Sequence, residues 1–95
     1  MPRGGARLRT SDGKMNLVGY RVKDCRQRLR LGQDELCARI ALETNGGWNP
    51  AWQDMSRIEN GARNVTDIEV LALANALDCS PCWLLLGEAQ ESLPS

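Results

Sequence analysis

Residues 33–61, QDELCARIALETNGGWNPAWQDMSRIENG, have the pattern of two helices separated by a turn. The first helix is predicted to begin at Gln33, because Asp34 and Glu35 place negative charge in its first turn, where a helix N-terminus is positive. It is predicted to end near Glu43. Its apolar residues recur at helical spacing and form one face: Leu36, Cys37 and Ile40.

The second helix of this stretch is predicted to open at Asn49 and Pro50, a capping side chain followed by a proline whose φ already suits a helix. Helical spacing then turns Met55 and Ile58 toward the core. The helix is predicted to stop at 60–61, Asn-Gly, because these residue types accept a left-handed φ. A helix, a break and a second short helix with a polar outer face form the outline of a helix-turn-helix, whose second helix lies in the DNA major groove.

Three segments carry a resemblance to a known family: 33–37 (QDELC), 56–61 (SRIENG) and 76–85 (ALDCSPCWLL). Together they resemble the lambda-type repressor and Cro family of bacterial and phage regulators, also called the xenobiotic-response-element family. The resemblance covers roughly residues 17–87. It implies an all-α fold, a compact five-helix bundle that contains the helix-turn-helix. The turn before the recognition helix is longer here than is usual in that family, so the register at the start of that helix stays open.

The other helices are predicted from caps and apolar periodicity. A first helix is predicted over 16–31, with Asn16 as its cap and one apolar stripe of Val18, Val22, Cys25 and Leu29. Thr66 and Glu69 form a capping box for a helix to residue 77 that is apolar almost all round, as a central buried helix would be. A last short helix is predicted over 80–87, where Ser-Pro is again a cap followed by proline.

Length and charge predict one domain with two short ends. Residues 1–15 are predicted to be a flexible basic arm, 16–87 a DNA-binding domain and 88–95 a disordered tail. The arm either follows DNA phosphates or is a solvated tail. Twelve Lys and Arg balance twelve Asp and Glu, yet residues 1–42 carry ten of the basic residues and only four of the acidic ones. Local patches decide nucleic-acid affinity, so zero net charge weakens this hypothesis without excluding it.

The outward face of the second motif helix supplies the base-contact candidates Gln53, Ser56 and Arg57, with Trp52 beside them as either a base contact or a packing residue. Arginine can form two hydrogen bonds to guanine, glutamine can do the same to adenine, and serine suits either base. Asp54 would repel phosphates and is expected to lie away from them. The predicted phosphate contacts are Gln33, Asn60, Arg63 and Asn64.

Two further sets of residues have predicted structural roles. The resemblance implies a buried ion pair between Arg26 and Glu59, in which loss of one partner would cost about 3–5 kcal/mol. The last helix has four adjacent large apolar residues on two turns, so some should stay uncovered in a monomer and form a dimer contact. The residues assigned to that contact are Trp83, Leu85 and Leu86.

The sequence predicts neither a cofactor site at the cysteines nor a membrane-spanning segment. Cys79 and Cys82 have zinc-ligand spacing, but the favoured interpretation is that Cys25 and Cys37 pack as small apolar residues of helices, with no metal, no disulfide and no cofactor. The resemblance implies an aliphatic environment for Cys79 as well. No apolar run reaches about 18 residues, so no membrane association is expected and the protein is predicted to be cytoplasmic.

Two functions of different classes remain open. The first is a sequence-specific regulator of transcription in the style of a phage repressor, a homodimer on palindromic double-stranded DNA. The alternative is a protein-interaction module of the same fold, such as an antitoxin or assembly factor, that binds a protein partner through Trp48, Trp83 and the leucines, with Trp48 expected to be exposed. An enzyme is not expected, because the chain has no histidine, no catalytic pair and no phosphate-cradling glycine loop.

Overall fold

The computed structural model describes residues 8–87, and these residues form five α-helices. The helices are α1 (Gly19–Arg28), α2 (Gln33–Glu43), α3 (Trp52–Glu59), α4 (Asp67–Leu77) and α5 (Pro81–Leu86). Residues 8–87 include no strand, so the all-α, five-helix class predicted from the sequence is confirmed. The predicted tail and the first seven residues of the predicted arm lie outside the described residues.

The core is built from one apolar face of each helix. Helix α2 packs on α4, α3 packs on both α1 and α2, and α5 closes the bundle against α4. Burial of a large aliphatic side chain favours the folded state by roughly 1.5–3 kcal/mol. The largest fully buried side chains are Leu36, Ile40, Met55, Ile58, Leu73, Leu77, Leu84, Val18 and Val22.

Helix α4 begins as its capping box predicts. The Thr66 side chain accepts from the Glu69 backbone N–H at 3.2 Å, and the Glu69 carboxylate accepts from the Thr66 N–H at 3.1 Å. The helix is less central than its composition predicted, because Ile68 and Leu71 are 77% and 52% exposed. These two residues lie three apart and share one uncovered face, so α4 packs against its neighbours on the remaining sides only.

Helices α1 to α4 end in the same manner. Within two residues of each helix end, a single residue adopts a left-handed backbone, and the residue that follows it donates its N–H to the carbonyl five residues earlier. This double turn satisfies carbonyls that the helix end would otherwise leave without partners. The left-handed residues are Arg30, Asn45, Gly61 and Asp78.

Two predicted helix boundaries are wrong. Helix α1 ends at Arg28 and not near Leu31, because Arg30 turns the backbone with a φ of 60°. Helix α3 begins at Trp52, with Ala51 at its N-cap, and not at residues 49–50. The amide of Asn49 has a different use there, since its Nδ2 donates to the Gly46 carbonyl at 2.9 Å within the loop.

The loop between α2 and α3 is closed by Thr44 and Trp48. The Thr44 hydroxyl donates to the Ile40 carbonyl at 2.8 Å and accepts the Trp48 backbone N–H at 3.0 Å. Trp48 is partly buried against the core, and Pro50 is buried. The expectation that Trp48 is exposed is therefore wrong. The long turn carries its own small hydrophobic anchor.

Residues 10–16, most of which were assigned to the flexible arm, make defined contacts with the region where α3 ends. The Met15 N–H donates to the Gly61 carbonyl at 2.9 Å, and Lys14 Nζ donates to the Asn60 carbonyl at 3.2 Å. The Asn16 amide donates to the Ile58 carbonyl at 3.1 Å, while its oxygen accepts the Gly19 N–H at 2.7 Å. This segment therefore ties the start of α1 to the end of α3.

Candidate nucleic-acid interface

Helix α3 has one face in the core and the other in solvent. Met55 and Ile58 have no exposed surface. Because an α-helix completes a turn in about 3.6 residues, Gln53, Ser56 and Arg57 lie on the side of α3 away from these two residues. Gln53 and Arg57 are exposed, Ser56 is half-buried and Trp52 is 54% exposed. The structure thus brings the base-contact candidates together on one accessible strip of α3.

A buried ion pair attaches α3 to the bundle. Arg26 Nε lies 2.7 Å from Glu59 Oε2, and Arg26 Nη2 lies 3.0 Å from Glu59 Oε1. The two side chains are only 10% and 2% exposed, and Arg26 Nη1 also donates to the Leu31 carbonyl at 2.7 Å. Hydrogen bonding to Glu59 raises the pKa of Arg26 above its usual value. The pair implied by the resemblance is therefore present.

Gln33 forms a hydrogen bond with the same buried carboxylate, that of Glu59. Its Nε2 donates to Glu59 Oε1 at 3.1 Å, so one of the two amide hydrogens expected at a phosphate serves the buried carboxylate. The start of α2 is also acidic, because Glu35 Oε1 accepts the Gly32 N–H at 2.6 Å and Asp34 lies exposed beside it. A helix N-terminus already capped by carboxylates is a weaker phosphate site than the sequence predicted.

Arg63, another predicted phosphate contact, forms ion pairs within the protein. Its Nη1 and Nη2 each lie 3.1 Å from an oxygen of Glu69, and its Nε lies 3.8 Å from Asp54 Oδ1. Burial raises the pKa of Glu69, but the hydrogen bonds from Arg63 and Thr66 outweigh it, and the net pKa is lowered. Arg63 is 20% exposed and has a carboxylate on each side in the free protein, so its predicted phosphate contact would compete with these ion pairs and stays a prediction.

Asp54 lies between two arginines. Its Oδ1 is 3.6 Å from Arg57 Nη1, one turn along α3, and 3.8 Å from Arg63 Nε. The sequence indicated only that Asp54 would avoid phosphates. Periodicity alone could not reveal that it would meet Arg63, because that contact crosses from α3 to the loop before α4.

The loop after α3 keeps polar groups near the same surface. Asn60 and Asn64 are exposed, and Asn64 Nδ2 lies 3.5 Å from the Met15 carbonyl. Lys14 lies alongside, with its side chain against Gly61 and its ammonium on the Asn60 carbonyl. Gly61 has a φ of 72°, and a Cβ there would come within 2.5 Å of Lys14 Cδ. Lys14 is a cation that the sequence placed in the arm with no indication that it would lie at the end of α3.

The predicted dimer residues differ in exposure. Leu85 and Leu86 are 38% and 60% exposed, whereas Trp83 is partly buried against the core. Tyr20 on α1 is exposed near them, since Tyr20, Trp83 and Leu86 line one surface depression. Leu85 and Leu86, extended by Tyr20, therefore form the accessible apolar surface at this end of the bundle.

Two observations on residues 8–87 concern helix hydropathy and the cysteine thiols. None of the helices in this range combines the length and the hydropathy that a membrane crossing requires. Cys37 and Cys79 have raised pKa values, the latter about 12, chiefly because burial disfavours the thiolate. Such thiols are poor ligands and poor nucleophiles at neutral pH.

No protein-family model matches this chain, and neither the curated proteins nor the solved structures include a match to it. The resemblance to the lambda-type repressor and Cro family therefore rests on the three sequence segments alone and stays a prediction.

Proposed function

We propose that this protein is a cytoplasmic, sequence-specific DNA-binding regulator of transcription, in which α3 enters the major groove of double-stranded DNA. The observation that carries the proposal is the two-sided character of α3. Met55 and Ile58 are fully buried, while Gln53 and Arg57 extend from the opposite side of the same helix. A short helix held rigidly with polar side chains outward is the device that helix-turn-helix proteins use to read bases.

Each exposed side chain of α3 has a distinct part in this proposal. Arg57 forms two hydrogen bonds to guanine, Gln53 pairs with adenine, and Ser56 accepts or donates to either. Trp52 flanks the strip and contacts the neighbouring sugar or base. Asn60 and Asn64 contact the phosphate backbone, which fixes register without reading sequence.

A dimer is the form in which we expect the protein to bind. Two copies joined by a two-fold axis would place their α3 helices about 34 Å apart, in successive major grooves of a palindromic site. The exposed leucines of α5 are the surface we assign to that contact, because solvent-exposed apolar groups are covered when two copies meet. The sequence resemblance to phage repressors supports the same arrangement.

Selection from random duplexes, followed by an arginine substitution, tests the proposal. We expect the purified protein to enrich one palindromic site, and its affinity to fall steeply with salt. Arg57→Ala should reduce discrimination at one base pair by about 1–3 kcal/mol. Lys23→Ala, which removes an exposed cation of α1, is the matched control and should leave discrimination unchanged. Equal losses on the enriched site and on random DNA would contradict the role given to Arg57.

The second candidate is a protein-interaction module of the same fold. Exposed Tyr20, Leu85 and Leu86 support it, and so does a formal charge of zero. The partly buried position of Trp48 removes one of the surfaces first considered for it. A protein that is indifferent to every duplex at low salt, yet forms a stable stoichiometric complex with another protein, would favour this candidate over the regulator.

A further inference from the structure

Four charged side chains connect the exposed face of α3 to the first turn of α4. Arg57 contacts Asp54 at 3.6 Å, Asp54 contacts Arg63 at 3.8 Å, and Arg63 contacts Glu69 through two hydrogen bonds of 3.1 Å each. We refer to these four residues as the charged network. Exposure increases along it, from 19% at Glu69 to 59% at Arg57.

The end of the network at α4 is fixed. Glu69 is the third residue of α4, where its carboxylate also accepts the Thr66 N–H, so its position is set by the helix cap. The planar guanidinium of Arg63 meets this carboxylate with two parallel hydrogen bonds, a geometry that restricts rotation. The Arg63 guanidinium is therefore held in one orientation, in which its Nε faces the Asp54 carboxylate.

The end of the network at α3 contributes modestly to stability: Asp54 lies in the first turn of α3, where a carboxylate is favoured by about 0.3–1 kcal/mol. Exposed ion pairs one helical turn apart contribute little to folding, because solvent screens them and two long side chains lose freedom. A carboxylate on the side of α3 that carries Arg57 would also repel DNA phosphates. In the proposed binding mode, Asp54 therefore lowers general affinity for DNA, and its contacts with Arg57 and Arg63 suggest a second use for this carboxylate.

We propose that Asp54 is a positioning residue, held by Arg63 and Glu69, that keeps the Arg57 guanidinium in the orientation that meets guanine. This inference rests on the proposed DNA-binding function. An arginine that is ordered before binding loses less rotamer freedom on contact, which favours the correct base by about two- to tenfold. The Asp54 carboxylate weakens binding to every duplex, so the network lowers general affinity for DNA and raises the preference of Arg57 for guanine.

The substitution Asp54→Asn tests the proposal, because the two effects have opposite signs. We expect binding to random duplex to strengthen when the negative charge is removed, while the preference for the enriched site over a version with the Arg57-read G·C pair replaced by A·T falls about two- to tenfold. A purely structural role for Asp54 would weaken both. Asp24→Asn, which disrupts an exposed ion pair of α1, is the matched control. It should leave the preference for the enriched site over the A·T version unchanged.

The same substitution in an Arg57→Ala background separates positioning from direct contact. If Asp54 acts through Arg57, Asp54→Asn should leave the base preference of the Arg57→Ala protein unchanged. A preference that falls by the same factor in both backgrounds would overturn the proposal, since Asp54 would then read a base itself. A preference unaffected by Asp54→Asn in the parent protein would overturn it as well.

A measurement without DNA keeps this inference separate from the proposed function. In the free protein we expect nitrogen-15 relaxation to show the Arg57 Nε–H restricted, and to show it released in both Asp54→Asn and Arg63→Gln. Thermal melting should show that these variants remain folded. Equal mobility of Arg57 in all three proteins would refute the positioning role. Should the parent protein bind no duplex, the proposed function falls, while this measurement still decides whether the network orders Arg57.

Discussion

The attachment of α3 to the bundle can be tested by replacing Glu59 with glutamine. Glutamine keeps the shape of the side chain and one oxygen acceptor, but it removes the charge that faces Arg26 at 2.7 and 3.0 Å. The guanidinium would then stay in a site where it is only 10% exposed, without a counter-charge. The NH2 group of the new glutamine would also replace one of the two carboxylate oxygens. One N–H donor of Arg26 would then face another donor and lose its acceptor.

The expected loss follows from this burial. Breaking a buried ion pair by removing one partner costs about 3–5 kcal/mol, because the remaining charge is desolvated without compensation. A domain of 95 residues at about 0.05–0.15 kcal/mol per residue has a total stability of about 5–14 kcal/mol. The substitution should therefore remove a large part of the free energy of unfolding. At the lower end of that range it would leave only about 0–2 kcal/mol, so that up to about half of the molecules would be unfolded.

Urea unfolding followed by tryptophan fluorescence measures the effect. Asp24→Asn is the matched control, because Asp24 and Arg28 are also 2.7 Å apart but are 49% and 68% exposed. Exposed pairs at this helical spacing contribute only about 0.3–0.5 kcal/mol. The double variant Arg26→Met, Glu59→Leu should recover part of the loss, since no buried charge remains. A loss from Glu59→Gln no larger than that from the control would refute the reasoning.

Three further predictions concern α4, the contact between α1 and α3, and α5. Glu69 has a lowered pKa, so the stability that its carboxylate contributes is complete above the ordinary carboxyl pKa of about 4.3 and is lost as the pH falls through the lower folded-state pKa. The melting temperature of Glu69→Gln should therefore lie below that of the parent at pH 7 and approach it at low pH. A constant difference across the pH range would contradict this. Gly19→Ala should destabilise the protein by about 1–3 kcal/mol in urea, because the added methyl group overlaps the Ile58 carbonyl oxygen, and an unchanged midpoint would show that α1 can move away. Leu85→Glu should lower the dimer fraction in sedimentation, whereas Ile68→Glu on exposed α4 should not; an unchanged distribution for Leu85→Glu would exclude α5 from the interface.

The sequence predicted the helices where side chains make local hydrogen bonds. Thr66 and Ser80 cap α4 and α5 as their spacing indicates, because a hydroxyl three residues before an open amide needs no distant partner. The end of α1 was missed because the left-handed position is held by Arg30, where glycine is usual and gives the recognisable signal. The start of α3 was missed because Asn49 and Pro50 look like a cap but belong to the loop.

The candidate site shows the same division between local and distant information. The outward positions of Gln53 and Arg57 follow from helical periodicity once Met55 and Ile58 are taken as buried. The position of Arg63 depends on how the loop after α3 returns to α4, which no periodic pattern encodes. An arginine in a polar loop is equally suited to a phosphate and to a carboxylate, and only the fold decides which is nearer.

The contact between Thr44 and Trp48 brings together the two ends of the tip of the α2–α3 loop. Residues 45–47 lie between these two residues and are exposed. The Gly46 N–H donates to the Ala41 carbonyl at 2.8 Å, so α2 is complete before Gly47. Each doubling of a flexible loop costs only about 0.6 kcal/mol, so extra residues inserted next to Gly47, beyond the end of α2, would be tolerated. The tip is thus a natural point for insertions, where the chain can gain length or carry a tag while the geometry of α3 is conserved.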